Sequence, residues 1–314
     1  MKSELDLQTI REAHERIREF VVRTPCFEVS PREGLDIVAK AESLQPTGAF
    51  KLRGAFSLMT TLPEGRGVVA HSSGNHAQAV ARAARVLGRE AVVVMPKDAP
   101  PLKRRRTEDD GAEVVEVGPA SDERAARAAE LAAERGLLEV PPYDHPLIAA
   151  GQGTAAVELI EDQGPIDRFY APVSGGGLMA GCATALSELC PETEIVAVEP
   201  EDGDDTKQSF ERGERVTVPP PATIADGLRV RTPGAFTFPI LQRLVSRVET
   251  VSDEEMLDAM AFALERFSLA LEPSGAASLA LALREGQGRC GVLLSGGNVE
   301  PELLKQVSQR RPKN

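Results

Sequence analysis

The chain has 314 residues, 42% of them hydrophobic, enough for one large core or two smaller cores sharing an interface. Its 36 Lys and Arg against 48 Asp and Glu give a formal charge of -12, which repels nucleic acid and anionic membrane and suits a small-molecule ligand. Cys26, Cys182, Cys190 and Cys290 are scattered, with no C-x-x-C pair and no His at ligand spacing, so neither a zinc site nor a disulfide framework is read. Isolated thiols fit a reducing cytosol.

The opening stretch MKSELDLQTIREAHERI is charged and helical in pattern, and no run approaches membrane-spanning length. No export or anchoring signal is read, and a cytoplasmic location is expected. The first candidate for chemistry is Pro46-Thr47-Gly48-Ala49-Phe50-Lys51-Leu52-Arg53-Gly54-Ala55. A lysine set among glycines and an aromatic is either an amine in a dry pocket, able to form an imine and then act as base, or an ordinary solvated side chain.

Beyond it, β-branched runs alternate with helical stretches. Strands are predicted over 68–71, 91–95, 113–117, 168–173, 194–199 and 290–294, and helices over 74–87, 101–110 and 121–135. This alternation predicts α/β architecture, mostly parallel open sheets covered by helices. Residues 67–144 form a small domain, with Pro141, Pro142 and Pro146 at its exit. The segments 1–66 and 145–314 form a larger domain into which it is inserted, with a ligand cleft at the strand ends between them. The charge run 103–110 reads as a solvated helix face. Tyr143, in the connection, either borders the cleft or simply packs.

Three further loops sit between strands and helices. Ser72-Ser73-Gly74-Asn75-His76 offers N–H groups and hydroxyls to a carboxylate, or caps a helix. Ser174-Gly175-Gly176-Gly177-Leu178 lets successive N–H groups converge on an anion at a helix start, or is a tight turn. Gly175, Gly177 and Gly181 also have nearly the spacing of a dinucleotide fingerprint, which keeps a nicotinamide-dependent oxidoreductase open. Leu294-Ser295-Gly296-Gly297-Asn298 could bring a hydroxyl to a ring nitrogen, or cap a helix.

Taken in order, ESLQPTGAFKLRGA, SSGNH, AGQGTAAVELIED, VSGGGLMAG, TIADGLR, EPSGAASLA and LLSGGN resemble the fold-type II enzymes that use pyridoxal 5'-phosphate (PLP), specifically the serine/threonine dehydratase and serine racemase family. The resemblance runs from about residue 23 to 298 and implies the tryptophan synthase beta-like fold. It implies that Lys51 is the PLP lysine and catalytic base, with Phe50 packing on the ring. Ser174, Gly175, Gly176, Gly177 and Leu178 match the phosphate cup, which usually has four glycines and here begins with Ser174. Asn75 matches the contact to the phenolic oxygen, and Ser295 the one facing the pyridine nitrogen. Ser72, Ser73, Gly74, Asn75 and His76 match the loop that holds the substrate carboxylate, and Ser73 the hydroxyl opposite the lysine in racemases. The acidic segment at Glu199, Gly203 and Asp205 resembles a divalent-cation loop, whose oxygen ligands imply magnesium or calcium; a solvated acidic loop is the alternative.

The implied reaction is loss of water from a small hydroxy-amino acid, giving a 2-oxo acid and ammonia from L-threonine or L-serine. The alternatives within the family are threo-3-hydroxyaspartate dehydratase and serine racemase. A non-catalytic amino-acid-binding protein is the alternative without turnover. Arg229 and Arg231 are read as candidates for a second substrate carboxylate or as surface arginines. A homodimer is implied, and control by isoleucine through a C-terminal regulatory domain is not expected.

Overall fold

The computed structural model describes residues 5–72, 74–118 and 121–311. Helix α1 (Leu7–Ile17) buries Leu7, Ile10, Ala13 and Ile17 along one face, and the Asp6 carboxylate caps it by accepting the Thr9 N–H. Strands β1 (Cys26–Arg32) and β2 (Leu35–Lys40) form an antiparallel hairpin, turned at Gly34 with φ +77°. This hairpin was not among the predicted strands. In β1 the apolar residues alternate with Glu28, Ser30 and Arg32, so no apolar run marks it. Helix α2 (Lys51–Met59) follows.

The next stretch alternates regularly: β3 (Val68–His71), α3 (Asn75–Val86), β4 (Ala91–Pro96), α4 (Pro101–Asp109), β5 (Glu113–Val117), α5 (Ser121–Arg135) and β6 (Leu138–Glu139). The four strands make a parallel sheet in the order β5-β4-β3-β6. All six residues of β4 are buried, as expected of a strand covered on both faces.

After α6 (Pro146–Gln163) come β7 (Arg168–Pro172), α7 (Gly177–Leu189), β8 (Glu194–Pro200), α8 (Asp205–Arg212), α9 (Thr237–Leu244) and β9 (Arg247–Val251). The chain closes with α10 (Asp253–Phe267), α11 (Pro273–Glu285), β10 (Gly288–Leu293) and α12 (Pro301–Ser308). These strands join the hairpin in a six-stranded sheet, β1-β2-β10-β7-β8-β9, parallel except for β1 against β2. The fold is therefore α/β with two mostly parallel sheets, as the alternation predicts. No helix among the described residues is long and apolar enough to cross a membrane.

Two features of the topology position the site. The last strand, β10, lies between β2 and β7, so the loops that leave these strands at one edge of the sheet become neighbours. Helix α2 buries Leu52, Phe56 and Met59 in one cluster with Val68, Ala70, Val80, Val93 and Met95, a core shared with the smaller sheet. Lys51, the first residue of α2, thus stands between the two sheets.

Candidate active site

The loop before α2 is stitched to the loop after β10. Phe50 N–H donates to the Ser295 carbonyl at 3.1 Å, Gly297 N–H donates to the Gly48 carbonyl at 2.8 Å, and Ala49 bridges to Gly296. These bonds fix the start of α2, and with it Lys51. The Lys51 ammonium donates to the Pro142 carbonyl at 2.7 Å and lies 5.2 Å from the centre of the Phe50 ring. The residue keeps some exposure along its length, but the ammonium end is enclosed, and burial pushes it down from 10.5 to about 8.

Pro142 belongs to the connection between β6 and α6, which runs across the glycine loop. None of the backbone N–H groups from Ser174 to Leu178 has a hydrogen-bond partner among the described residues, and the buried Ser174 hydroxyl has none either. The open start of α7 adds partial positive charge. A Cβ at Gly175 would lie 2.3 Å from the Tyr143 ring, and one at Gly177 would lie 2.8 Å from the Tyr143 carbonyl oxygen. Gly176 has φ +92°, which also favours glycine. The Asp144 carboxylate accepts the N–H groups of Ala235, Phe236 and Thr237 at 2.9, 2.9 and 3.2 Å, capping α9 and pinning the connection.

Gly175→Ala is accordingly expected to force apart the Tyr143 ring and the loop, costing roughly 1–3 kcal/mol. The chain has no Trp and 2 Tyr, so intrinsic tyrosine emission reports on Tyr143 with only Tyr170 beside it. A variant with unchanged emission and melting temperature would show that the ring does not rest on Gly175.

At the start of α3, the Asn75 side-chain N–H donates to Glu272 Oε1 at 2.5 Å, while Asn75 Oδ1 accepts from Asn298 Nδ2 at 2.9 Å. The Ser72 hydroxyl accepts the Gly74 N–H at 3.1 Å. Ser73 lies outside the described residues. His76 turns away into the protein, its Nε2 2.9 Å from the Val140 carbonyl, and burial together with nearby Lys51 lowers it to about 3. It is therefore a neutral donor to that carbonyl. The Ser295 hydroxyl is buried, with a single long contact of 3.4 Å to the Ser274 carbonyl.

Lys103 corrects the reading of 103–110 as a solvated face. Its side chain is 3% exposed and its ammonium reaches Asp226 at 2.7 Å and Glu272 at 2.8 Å. Thr107 and Asp110 are buried as well. Nothing in the local sequence marks Lys103 or Glu272 as a partner in this contact. Arg229 and Arg231 brace their own loop instead of reaching toward the glycine loop: Arg229 Nε donates to the Thr223 carbonyl at 2.9 Å, and Arg231 Nε to the Val218 carbonyl at 2.9 Å.

Glu199, at the end of β8, accepts the N–H groups of Thr206 at 3.0 Å and Lys207 at 2.9 Å. It is thus turned away from any ribose that the dinucleotide reading of Gly175, Gly177 and Gly181 would require. Both Asp205 carboxylate oxygens are buried without a hydrogen-bond partner among the described residues. Burial pushes Asp205 up to about 8, and burial together with neighbouring Asp205 raises Glu199 as well. Gly203 is buried between them in sequence. Among the described residues, no three His, Cys, Asp or Glu side chains come together as a metal-binding group, so a cation here would depend on two carboxylates and backbone oxygen.

An enclosed amine of lowered pKa, joined through the Pro142–Tyr143 connection to a row of unpaired N–H groups, is the equipment for a phosphorylated carbonyl compound. Residues 17–296 match the family described as pyridoxal-phosphate dependent enzyme. The chain belongs to the pyridoxal-phosphate dependent enzymes. It is 41% identical to L-threo-3-hydroxyaspartate ammonia-lyase of Saccharomyces cerevisiae, over 93% of this chain and 92% of that protein. It is also 41% identical to serine racemase of Schizosaccharomyces pombe, over 93% and 94% of the two. The crystal structure of a T.th. threonine deaminase superposes with a TM-score of 0.90 at 43% identity, covering 94% of this chain and 99% of that one. Family membership removes the basis for the nicotinamide reading, and PLP is the cofactor.

Proposed function

We propose that the protein is a PLP-dependent ammonia-lyase that removes water from a small β-hydroxy amino acid, the enamine product then taking up one water to give a 2-oxo acid and ammonia. The observation that carries this reading is the Lys51 amine, pushed down to about 8 by burial and bonded to the Pro142 carbonyl, next to Tyr143, which packs on the unpaired N–H groups of the Ser174 loop. In this reading Lys51 holds PLP covalently with Phe50 beside the ring. The Ser174 hydroxyl and the N–H groups of Gly175, Gly176, Gly177 and Leu178 hold its phosphate, Asn75 its phenolic oxygen and Ser295 its ring nitrogen. When bound, PLP supplies the electron sink that makes the substrate α-hydrogen acidic.

The chain's own residues supply position and proton transfer. The loop of Ser72, Ser73, Gly74, Asn75 and His76 at the start of α3 orients the substrate carboxylate, with His76 contributing main chain only. Lys51, whose charged form burial disfavours, takes the α-proton. Ser295 offers a neutral hydroxyl, which does not stabilise positive charge on the ring nitrogen as a carboxylate would. Such a contact would suit loss of the β-hydroxyl.

Ammonia release from L-threonine, L-serine and L-threo-3-hydroxyaspartate tests the reading. Turnover of at least one is expected, and none from PLP-loaded protein would refute it. L-Threonine and L-serine are the substrates proposed, because Arg229 and Arg231 are bonded to chain carbonyls. The likeness to a serine racemase supports a second activity, read as D-serine formed from L-serine and lost in Ser73→Ala. Four free cysteines support a reducing cytoplasm, with burial lifting Cys26 to about 11 and Cys182 to about 12. A homodimer is the proposed assembly, which sedimentation checks.

Glu199, Asp205 and the Gly203 carbonyl are proposed as ligands for Mg2+ or Ca2+. The partnerless Asp205 oxygens support this, because a buried carboxylate without hydrogen bonds is costly unless a cation or a proton neutralises it. Adding Ca2+ or Mg2+ is expected to raise the melting temperature, by about 2.7 kcal/mol of stabilisation at a hundredfold excess over Kd. The gain should be larger at pH 8 than at pH 6, since the ligands must shed protons to bind. Asp205→Asn should abolish it, and equal melting with and without either ion at pH 8 would remove the site.

A further inference from the structure

Lys103 lies on α4, which covers the smaller sheet, yet its ammonium is bonded to two carboxylates from the segments around the larger one. One of these, Glu272, precedes α11 and takes Lys103 on Oε2 and the Asn75 side-chain N–H on Oε1. The pairing of buried charges is poor evidence of stabilisation in itself, because both ions lose their hydration. The two carboxylates outweigh the burial of the ammonium and hold Lys103 charged, its pKa raised above the ordinary value. Glu272 is in turn held in place, Oε2 on the Lys103 ammonium and Oε1 accepting from Asn75.

The donors and acceptors then close on Asn75. Its side chain has one oxygen and two N–H hydrogens. The oxygen accepts from Asn298 Nδ2, and one hydrogen goes to Glu272. Asn298 cannot reverse its role, since its Nδ2 also donates to the Thr47 carbonyl at 2.8 Å and its Oδ1 accepts from Arg106. A flipped Asn75 would set oxygen against carboxylate and N–H against N–H. One hydrogen of Asn75 remains, so the amide nitrogen, fixed by Glu272, has an N–H to offer a ligand. Gly296 lets the loop lie flat on the pair, because a Cβ there would be 2.1 Å from Glu272 Oε1.

We propose that Lys103 is a positioning residue for the cofactor: by anchoring Glu272 across the two sheets, it locks Asn75 as a hydrogen-bond donor to the phenolic oxygen of PLP. This rests on the reading above that Asn75 meets that oxygen. Removing the ammonium frees Glu272 to swing off Asn75 and Asn75 to turn over, and the phenolic oxygen loses its donor.

The test compares Lys103→Met, Lys103→Arg and Asn75→Ala, each stripped of PLP and titrated with it. The readouts are PLP affinity, the visible absorption maximum and the melting temperature of the apo-protein. Lys103→Met should bind PLP roughly tenfold or more weakly, the scale of one hydrogen bond to a charged group, and shift the visible band; Lys103→Arg should restore both. A role confined to folding would lower the melting temperature and leave the band in place, and that result overturns the proposal. If Asn75→Ala leaves band and affinity unchanged, the reading of Asn75 itself fails. If Asn75→Ala alters them and Lys103→Met does not, only the role of Lys103 fails. Should Lys103→Met not fold, Glu272→Gln keeps the shape, removes the charge, and carries the same two expectations.

Discussion

Lys51→Ala is expected to abolish the visible absorption of covalently held PLP and to cut ammonia release to roughly a thousandth or less of wild type, the scale of a lost general base. The alanine variant keeps the open N–H groups from Ser174 to Leu178, so it should still bind PLP reversibly through the phosphate. Loss of the covalent band with retention of binding is the signature that separates Lys51 from a residue needed for folding. Lys51→Arg should fail as well, because a guanidinium keeps the charge but is not a nucleophile at any working pH. The same amine sets a pH dependence for loading. With Lys51 lowered to about 8, roughly a tenth is neutral at pH 7, and the neutral fraction rises through pH 8. The apo-protein should therefore take up PLP faster from pH 6.5 to 8.5 and level off above. Ammonia release and the band both surviving in Lys51→Ala would overturn the assignment.

The sequence was informative where function depends on main chain. The loops at 72–76, 174–178 and 294–298 each follow a strand with buried apolar residues and carry glycines, two local features that need no partner to be read. Strands β3 and β5 and helix α5 lie where predicted, β3 and β5 marked by paired valines and α5 by its alanines. The hairpin strand β1 and strand β9 were missed for the opposite reason: β9, RVETV, buries only Val248 and Val251. Lys103 escaped because its local context, a run of cations and carboxylates, is that of a solvated helix, while Glu272 lies 169 residues away along the chain. Arg53 was quoted within a motif without a role, since its partners Glu42 and Glu158 lie 11 and 105 residues away. Buried charge networks are assembled by topology, and spacing along one helix does not reveal them.

The network under Lys51 carries the second large effect. Arg53 is fully buried two residues beyond Lys51 on α2. Its Nε and Nη2 donate to Glu42 at 2.7 and 2.8 Å, and its Nη1 and Nη2 to Glu158 at 2.8 and 2.7 Å. The buried Lys40 ammonium completes the set, 2.7 Å from both Glu158 and the Thr24 carbonyl. Two cations thus balance two anions across β2, α2 and α6. Arg53→Ala strips the buried Glu42 of its cationic partner and leaves Glu158 to Lys40 and His14, and should cost about 3–5 kcal/mol. Thermal unfolding would read this as a fall on the order of 10 °C. Replacing Arg53, Glu42, Glu158 and Lys40 together by apolar residues of similar volume should cost less than Arg53→Ala by itself, because no charge is then left unpaired.

The pH dependence has a definite sign. Burial raises Glu158, but His14, Arg53 and Lys40 overcome that and hold it well below its usual 4.5. Its contribution to stability is therefore full above pH 4.5 and is lost as pH falls toward its folded value. Arg53→Ala should weaken that acid-sensitive component as it lowers the melting temperature at neutral pH. A variant that melts like wild type at pH 7, and loses stability in acid just as steeply, would show that this buried arginine does not hold the base of the Lys51 helix.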